Sequence, residues 1–274
     1  LLYIQVTRGE ARRDHPFPAD AQPTLVVTVR RFDFAARVPQ QAVGVKVTSV
    51  TDQRWGRCDI KTVALLPNVL AKQTARLAGS FEAWFVSNDG VVAEGGSTNA
   101  WIVDAAGTVI THPLSARILP GIMRSSLLRL VHAAQIKVEE RPFTLAEAQG
   151  AAEAFLTSTT APCLGIVAID GVQVADGKPG PVTRRLGELL WGEIERQTGS
   201  ARLRLVRAYF AGGGGGIMSS VPSMPPAPCI IIGAPFLLIR DSIRARIARA
   251  SATSALRSAT DSFEGTEQRR LALV

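Results

Sequence analysis

Arg54-Trp55-Gly56-Arg57-Cys58-Asp59-Ile60-Lys61-Thr62-Val63-Ala64-Leu65-Leu66-Pro67-Asn68-Val69-Leu70-Ala71-Lys72-Gln73 is the stretch on which the reading of this 274-residue chain turns. A polar run ends in a lysine and passes into helical periodicity. From Leu65 to Leu77, apolar residues at Leu66, Val69, Leu70, Ala71, Ala75 and Leu77 leave Lys72, Gln73 and Arg76 largely on other faces. Gly79 then stops the run as a C-cap glycine does, so a helix is predicted over 65–77. Lys61 stands directly before it. The chain has only five Lys, at 46, 61, 72, 137 and 178, against 26 Arg, so each is worth testing for a role. An amine leaving strand-end backbone for a cleft, with neighbouring cations lowering its pKa, is a nucleophile. Taken alone, a lysine in that place is more often a solvated charge.

Outward from this segment the chain reads as strands with helices between them. Upstream, Tyr3–Thr7 and Leu25–Val29 are strand-like and joined by a polar loop holding Arg12, Arg13, Asp14 and His15, and Val45–Val50 is a further strand. Downstream, Phe81–Val86, the turn Asn88-Asp89-Gly90 and Val91–Glu94 make a hairpin, because Asp-Gly supplies the positive φ of a tight turn. A second turn, Asp104–Gly107, lies between Ala100–Val103 and Thr108–Ile110. Ile122–Ala134 reads as a helix after Gly121, followed by extended Gln135–Glu140. Phe155–Ser158 and Gly165–Ile169 are strands, and Val182–Gln197 is a helix. The predicted class is α/β or α+β with a mixed sheet.

Three more places bear chemistry. Glu94-Gly95-Gly96-Ser97-Thr98-Asn99 sets an acid beside two small residues at a strand end, where backbone can approach a ligand closely. Leu119-Pro120-Gly121-Ile122-Met123-Arg124 opens a helix, whose free N–H groups favour a phosphate. Thr157-Ser158-Thr159-Thr160 offers four hydroxyls after a strand. Each alone is an ordinary turn or cap.

Taken in this order, the segments resemble the fold-type IV pyridoxal-phosphate family, the class IV aminotransferases, and within it most closely the D-amino-acid aminotransferases. The similarity runs from about Tyr3 to about Arg196 and is most specific over Arg54–Lys61 and Leu65–Gln73. The resemblance implies a large cofactor domain and pyridoxal 5'-phosphate held by Lys61 as an aldimine, with the same lysine moving the substrate proton. It implies that Glu94 pairs with the pyridine nitrogen and that Leu119 packs on the ring. The backbone of Ile122 and Met123 would hold the phosphate, with Ser158 and Thr159 in support. Arg13-Asp14-His15 matches an Arg-x-His loop in which Arg13 and His15 grip the substrate carboxylate from a neighbouring subunit, which implies a homodimer. The implied reaction moves an amino group from a D-amino acid such as D-alanine to a 2-oxo acid such as 2-oxoglutarate.

There are departures from the family pattern. Its small N-terminal domain is expected to precede Leu1, so residues 1–38 read as the remnant of that domain and 39–200 as the large cofactor domain. A phosphate-contacting Arg and a substrate-site Tyr of that domain have no counterpart here. Met123 stands where a Thr is usual, and Gly-x-Met-Arg also resembles the aminodeoxychorismate lyases. A lyase on the same scaffold and a truncated, non-catalytic remnant are therefore the alternatives.

Composition bounds the remaining possibilities. Lys+Arg number 31 and Asp+Glu 23, a net charge of +8, but residues 201–274 hold ten Arg, no Lys and four acids. The body is close to neutral, which argues against a nucleic-acid partner. Residues 201–274, with Gly212–Gly216 and Pro222, Pro225, Pro226 and Pro228, read as a poorly ordered, Arg-rich tail. Its apolar run Cys229–Ile239 falls short of the roughly 20 residues of a membrane helix. Cys58, Cys163 and Cys229 form no close pair, so neither a disulfide framework nor a metal site is expected. With no signal peptide pattern at Leu1, a reducing cytoplasm is the expected setting.

Overall fold

The computed structural model describes residues 1–33 and 37–199. The tail readings, from the glycine run to the Arg-rich end, lie outside the described residues. Near the start, β1 (Leu2–Thr7) and β2 (Thr24–Val29) pair antiparallel, with Leu2 opposite Val29 and Thr7 opposite Thr24. They form a two-stranded sheet of their own. Every residue of β2 is exposed, including the apolar Leu25, Val27 and Val29.

The remaining elements are α1 (Val38–Val43), β3 (Val45–Thr51), α2 (Leu66–Leu77), β4 (Glu82–Val86), β5 (Val92–Gly95), β6 (Asn99–Val103), β7 (Val109–Thr111) and α3 (Ile122–Ala133). After them come β8 (Val138–Glu140), α4 (Leu145–Gln149), β9 (Glu153–Thr157), β10 (Leu164–Ile169), β11 (Val172–Gln173) and α5 (Pro181–Thr198). Nine strands make one mixed sheet in the order β5-β4-β3-β10-β9-β6-β7-β8, with β11 on β10. β3 runs parallel to both β4 and β10, and β7 parallel to β8. The predicted mixed α/β class and both hairpins are what the chain adopts. α1, α4 and β11 are elements that the sequence reading did not predict.

One short link bends this sheet. β5 and β6 stand first and sixth in the order, about 24 Å apart in a flat sheet at the usual strand spacing. The chain from Gly95 to Asn99 reaches at most about 14 Å. The sheet therefore curls until the start of β6 meets the end of β5, where the Gly95 N–H donates to the Thr98 carbonyl at 2.7 Å.

Both faces of the curled sheet are buried, which explains strands that read as nearly continuous apolar runs. Alternate residues go to opposite sides. Trp101, Val103 and Phe155 pack with Leu127 and Val131 of α3 and Leu186, Leu190 and Trp191 of α5. Ile102 and Leu156 pack with Val47, Trp84, Phe143 and Ile166 on the other side. Trp101 and Phe155 face each other across β6 and β9 as stacked rings 5.4 Å apart. A third cluster seats α2 through Ala71 and Ala75 on Ala83, Phe85 and Ala93.

The N-terminus of α5 is closed from a distant strand. Buried Glu153 accepts the Val182 N–H at 2.8 Å and the Thr183 N–H at 2.7 Å, so its negative charge meets the positive end of the helix dipole. Gly180 makes room, since a Cβ there would lie 2.1 Å from the Glu153 carboxyl carbon. Glu153→Ala strands both donors and is expected to lower stability by about 2 kcal/mol. Urea denaturation is the check, and the midpoint should fall with an unchanged slope.

Candidate active site

The segment before α2 is held by Arg54. Its guanidinium places Nε and Nη2 on the two Asp52 oxygens, each at 2.9 Å, and Nη1 on Glu94 Oε1 at 2.5 Å. Nη2 also donates to the Arg117 carbonyl at 3.0 Å, and the group lies 4.1 Å over the Phe85 ring. Only 5% of the Arg54 side chain is exposed. The Cys58 N–H donates to the Ala116 carbonyl at 2.7 Å, so the lysine segment is tied twice to the stretch that leads into α3. Lys61 follows from this anchored run.

Glu94 lies near the end of β5 and is buried. Its Oε2 accepts from Asn99 Nδ2 at 3.2 Å and from the Leu119 N–H at 3.0 Å. Asn99 also donates to the Leu119 carbonyl at 3.0 Å. Gly121, which precedes α3, lies against the same amide, and a Cβ there would sit 2.1 Å from Asn99 Oδ1. The glycine is thus a matter of close approach and not of turn conformation. No side chain caps α3, whose first intrahelical bond is Ser125 N–H to Gly121 O. The N–H groups of Ile122 and Met123 precede that bond and are the free donors of a helix start.

Glu94, Asn99 and Leu119 therefore belong to one group, the Glu94 charge acts on the Lys61 amine, and Ile122 and Met123 follow at the head of α3. Ser158 lies one residue beyond Thr157, which pairs with Asn99 across β6 and β9. The Ser158 hydroxyl oxygen accepts the Ala161 N–H at 3.1 Å, shaping the hydroxyl-rich turn, and Thr159 is exposed. The Met123 side chain points into the core beside Trp101 and Leu127. Arg13 and His15 lie on the exposed β1–β2 loop. Among the described residues no hydrogen bond or ion pair joins them to the group around Glu94. The sequence reading treated Arg54 as part of a motif and missed its role; the only signal was a basic residue two positions after Asp52 at a strand end.

Electrostatically Arg54 is joined by two further cations, since the Arg117 charge acts on Asp52 and the Lys61 amine feels the charge of Glu94. Arg54 bridges the buried Glu94 and the partly buried Asp52. Burial pushes the Glu94 carboxyl up to about 7 against the pull of Arg54 and the Leu119 N–H. Burial also acts on Asp52, but its hydrogen bonds and charge contact with Arg54 hold it below the usual carboxylate range. Desolvation lowers the Lys61 amine, and the nearby Glu94 charge works against that shift. A buried carboxylate with one lone pair to spare, next to an amine of lowered pKa and a helix start, is a site built to hold a cationic N–H at one end and an anion at the other.

The chain belongs to the class IV amino-transferase family, whose pattern it matches over residues 1–169. It is 39% identical over 197 residues to the D-alanine aminotransferase of Bacillus licheniformis, covering 72% of this chain and 68% of that protein. The D-alanine aminotransferase of Staphylococcus aureus is 38% identical over 190 residues, which cover 69% of this chain and 66% of that one. The fold is similar to the branched-chain amino acid aminotransferase of Escherichia coli, with 25% identity and a TM-score of 0.54 over 64% of this chain and 58% of that one. The chain spans about two thirds of the length of the curated relatives it matches. Among the described residues no helix is long and apolar enough to cross a membrane.

The raised Glu94 pKa has a stability consequence with a definite sign. Protonated Glu94 is favoured in the folded state, so its contribution is full below pH 4.5 and is lost as pH rises through about 7. His112, whose pKa burial lowers, acts in the opposite sense, and Glu94→Gln isolates the carboxylate. For the cofactor-free protein, the stability of wild type minus that of Glu94→Gln should fall by about 2–3 kcal/mol between acidic and mildly alkaline pH, measured by urea titration.

Proposed function

We propose that the chain is a pyridoxal-phosphate-dependent transaminase that moves the amino group of a D-amino acid such as D-alanine to a 2-oxo acid such as 2-oxoglutarate. The observation that carries this reading is the buried Glu94 carboxylate, oriented by Arg54, Asn99 and the Leu119 N–H, with its charge acting on the Lys61 amine. Glu94 would accept from the protonated pyridine nitrogen of the cofactor with the one lone pair its protein partners leave. The uncapped head of α3 suits a phosphate at the other end of the same molecule. The residues present therefore fit the cofactor.

Pyridoxal phosphate, when bound, supplies a sink for the electron pair released at the substrate Cα. The protein's part is positioning and proton handling. Glu94, oriented by Arg54, Asn99 and the Leu119 N–H, keeps a proton on the pyridine nitrogen. Lys61 would hold the cofactor through Nζ, and its free amine would carry the proton taken from the substrate Cα. Its lowered pKa raises the fraction of neutral amine able to do so. Ile122 and Met123 offer backbone N–H groups to the phosphate, Ser158 and Thr159 offer hydroxyls, and Leu119 backs the ring. Arg13 and His15 bind the substrate carboxylate in the neighbouring subunit of a homodimer, where a planar guanidinium suits a carboxylate. Residues 1–38 then belong to the small domain and 39–200 to the cofactor domain. The exposed Trp55, Val63, Leu66, Val69 and Leu70 around the lysine segment support burial of this face in the assembled enzyme.

The decisive test is the visible spectrum of the purified chain with pyridoxal phosphate, beside Lys61→Ala. A band that requires Lys61 and that D-alanine, but not L-alanine, converts to the pyridoxamine form is the expected outcome. Pyruvate released from aminodeoxychorismate, with the Lys61-dependent band retained and no 2-oxo acid required, would point to a lyase. Absence of any Lys61-dependent band would overturn the reading in favour of a non-catalytic remnant.

A further inference from the structure

Glu82 is the most deeply buried carboxylate near the site, with no exposed side-chain surface, and the mechanism above does not use it. It begins β4, whose Trp84 pairs with Gly95 at the end of β5. Oε1 lies 3.0 Å from Lys72 Nζ on α2 and accepts the Ala83 N–H at 2.8 Å. Oε2 accepts the Ser97 hydroxyl at 2.9 Å. Lys72 donates as well to the Phe81 carbonyl at 3.1 Å, and one turn earlier Asn68 Nδ2 donates to the Gly96 carbonyl at 2.9 Å. The Gly96 N–H in turn donates to the Ala83 carbonyl at 2.9 Å.

These bonds join two bodies. One is α2, which directly continues the Lys61 segment. The other is the turn 95–98, flanked by Glu94 and Asn99 and through them tied to Leu119 and the head of α3. Gly95 and Gly96 are packed too closely to carry side chains: a Cβ on Gly95 would meet Thr98 Oγ1 at 2.1 Å, and one on Gly96 would meet Lys72 Cδ at 3.0 Å and Glu82 Oε1 at 3.1 Å. Two adjacent glycines give the turn little stiffness of its own. Its shape is imposed from outside, by Glu82 and α2. Only the carboxylate of this pair is fully buried, Lys72 keeping 37% of its side chain exposed, so Glu82 is the member whose desolvated charge requires its three partners to stay in place.

We propose that Glu82 is a positioning residue for transamination, which through Lys72 and Ser97 sets the distance between the Lys61 segment and the Glu94–Asn99 turn. The proposal rests on the reading of Lys61 and Glu94 as the residues that hold the cofactor. Glu82→Gln keeps the shape but removes the charge that holds Lys72, letting the turn and α2 part and loosening the packing that partly desolvates the amine of the otherwise exposed Lys61. A displacement of that kind is expected to lower kcat about tenfold with KM roughly unchanged.

The test uses the full chain and two readouts. In the first, kcat and KM for D-alanine and 2-oxoglutarate are measured for wild type, Glu82→Gln and Ser97→Ala. In the second, acetylation of individual lysines of the cofactor-free protein is followed against pH by mass spectrometry. For Glu82→Gln the Lys61 midpoint should move up toward that of an ordinary lysine, while exposed Lys137 stays where it is. Ser97→Ala, at an exposed position, should show the same two changes in smaller measure and covers the case in which Glu82→Gln does not fold. A loss of stability with neither the Lys61 midpoint nor the kcat-to-KM pattern altered would make Glu82 a purely structural residue and overturn the proposal. If the wild type lacks a Lys61-dependent cofactor band, the functional reading fails, and the acetylation midpoints still decide whether Glu82 governs the surroundings of Lys61.

Discussion

The arrangement of the site hangs on one guanidinium. Arg54 is held on four sides, by both oxygens of Asp52, the Arg117 carbonyl and the Phe85 ring, and offers its remaining edge to Glu94. A planar fork can grip one carboxylate with two parallel bonds and still reach a second; an ammonium at the same point has the charge but not the paired donors. The carboxylate that Arg54 orients also fixes the Leu119 backbone, and Asn99 bonds to both. A lysine segment, a strand end and a helix start, far apart in the chain, thus share one hydrogen-bonded centre. Removing so many charges from water is costly, and the return is a defined position for each group more than stability of the fold.

The curl of the sheet brings these parts into reach. A three-residue link between the first and sixth strands of the sheet order turns its edge inward and leaves Glu94 and Asn99 at the two ends of one tight turn. Small residues then recur where backbone must come close: Gly95 and Gly96 in the turn, and Gly121 against Asn99. The core supports the turn from below, since α2 rests its alanines on Ala83 and Ala93 of the two strands β4 and β5 beside the turn. Closure of the sheet and assembly of the site are in this sense one event.

Much of this was legible in the sequence, and the rest was hidden for identifiable reasons. The periodicity over 65–77 corresponds to α2, and the Asp-Gly turn to the β4–β5 hairpin, because both signals are local. Glu94 could be suspected from its place before two glycines. Arg54 could not, because its partner lies 40 residues away and one arginine among 26 carries no mark. The same holds for Glu153, whose contacts with α5 span 29 and 30 residues. α1 and α4, of 6 and 5 residues, are too short for a helical period to emerge. Arg13 and His15 are legible only as a motif, since their loop is exposed and makes no contact with the site group within the described chain.

The parallel pairing of β3 with β10 has a consequence for how the molecule is made. Val45 finds its partner at Ile166, so on the ribosome β3 emerges long before the strand that completes it. β4 and β5 can dock on one side at once, but the other edge of β3, a strand of valines alternating with polar residues, waits for more than half of the described chain. Contacts of such long sequence separation slow folding, and an unpaired edge invites association with other nascent copies. The late closing strand makes biogenesis the stage at which this edge stays open longest.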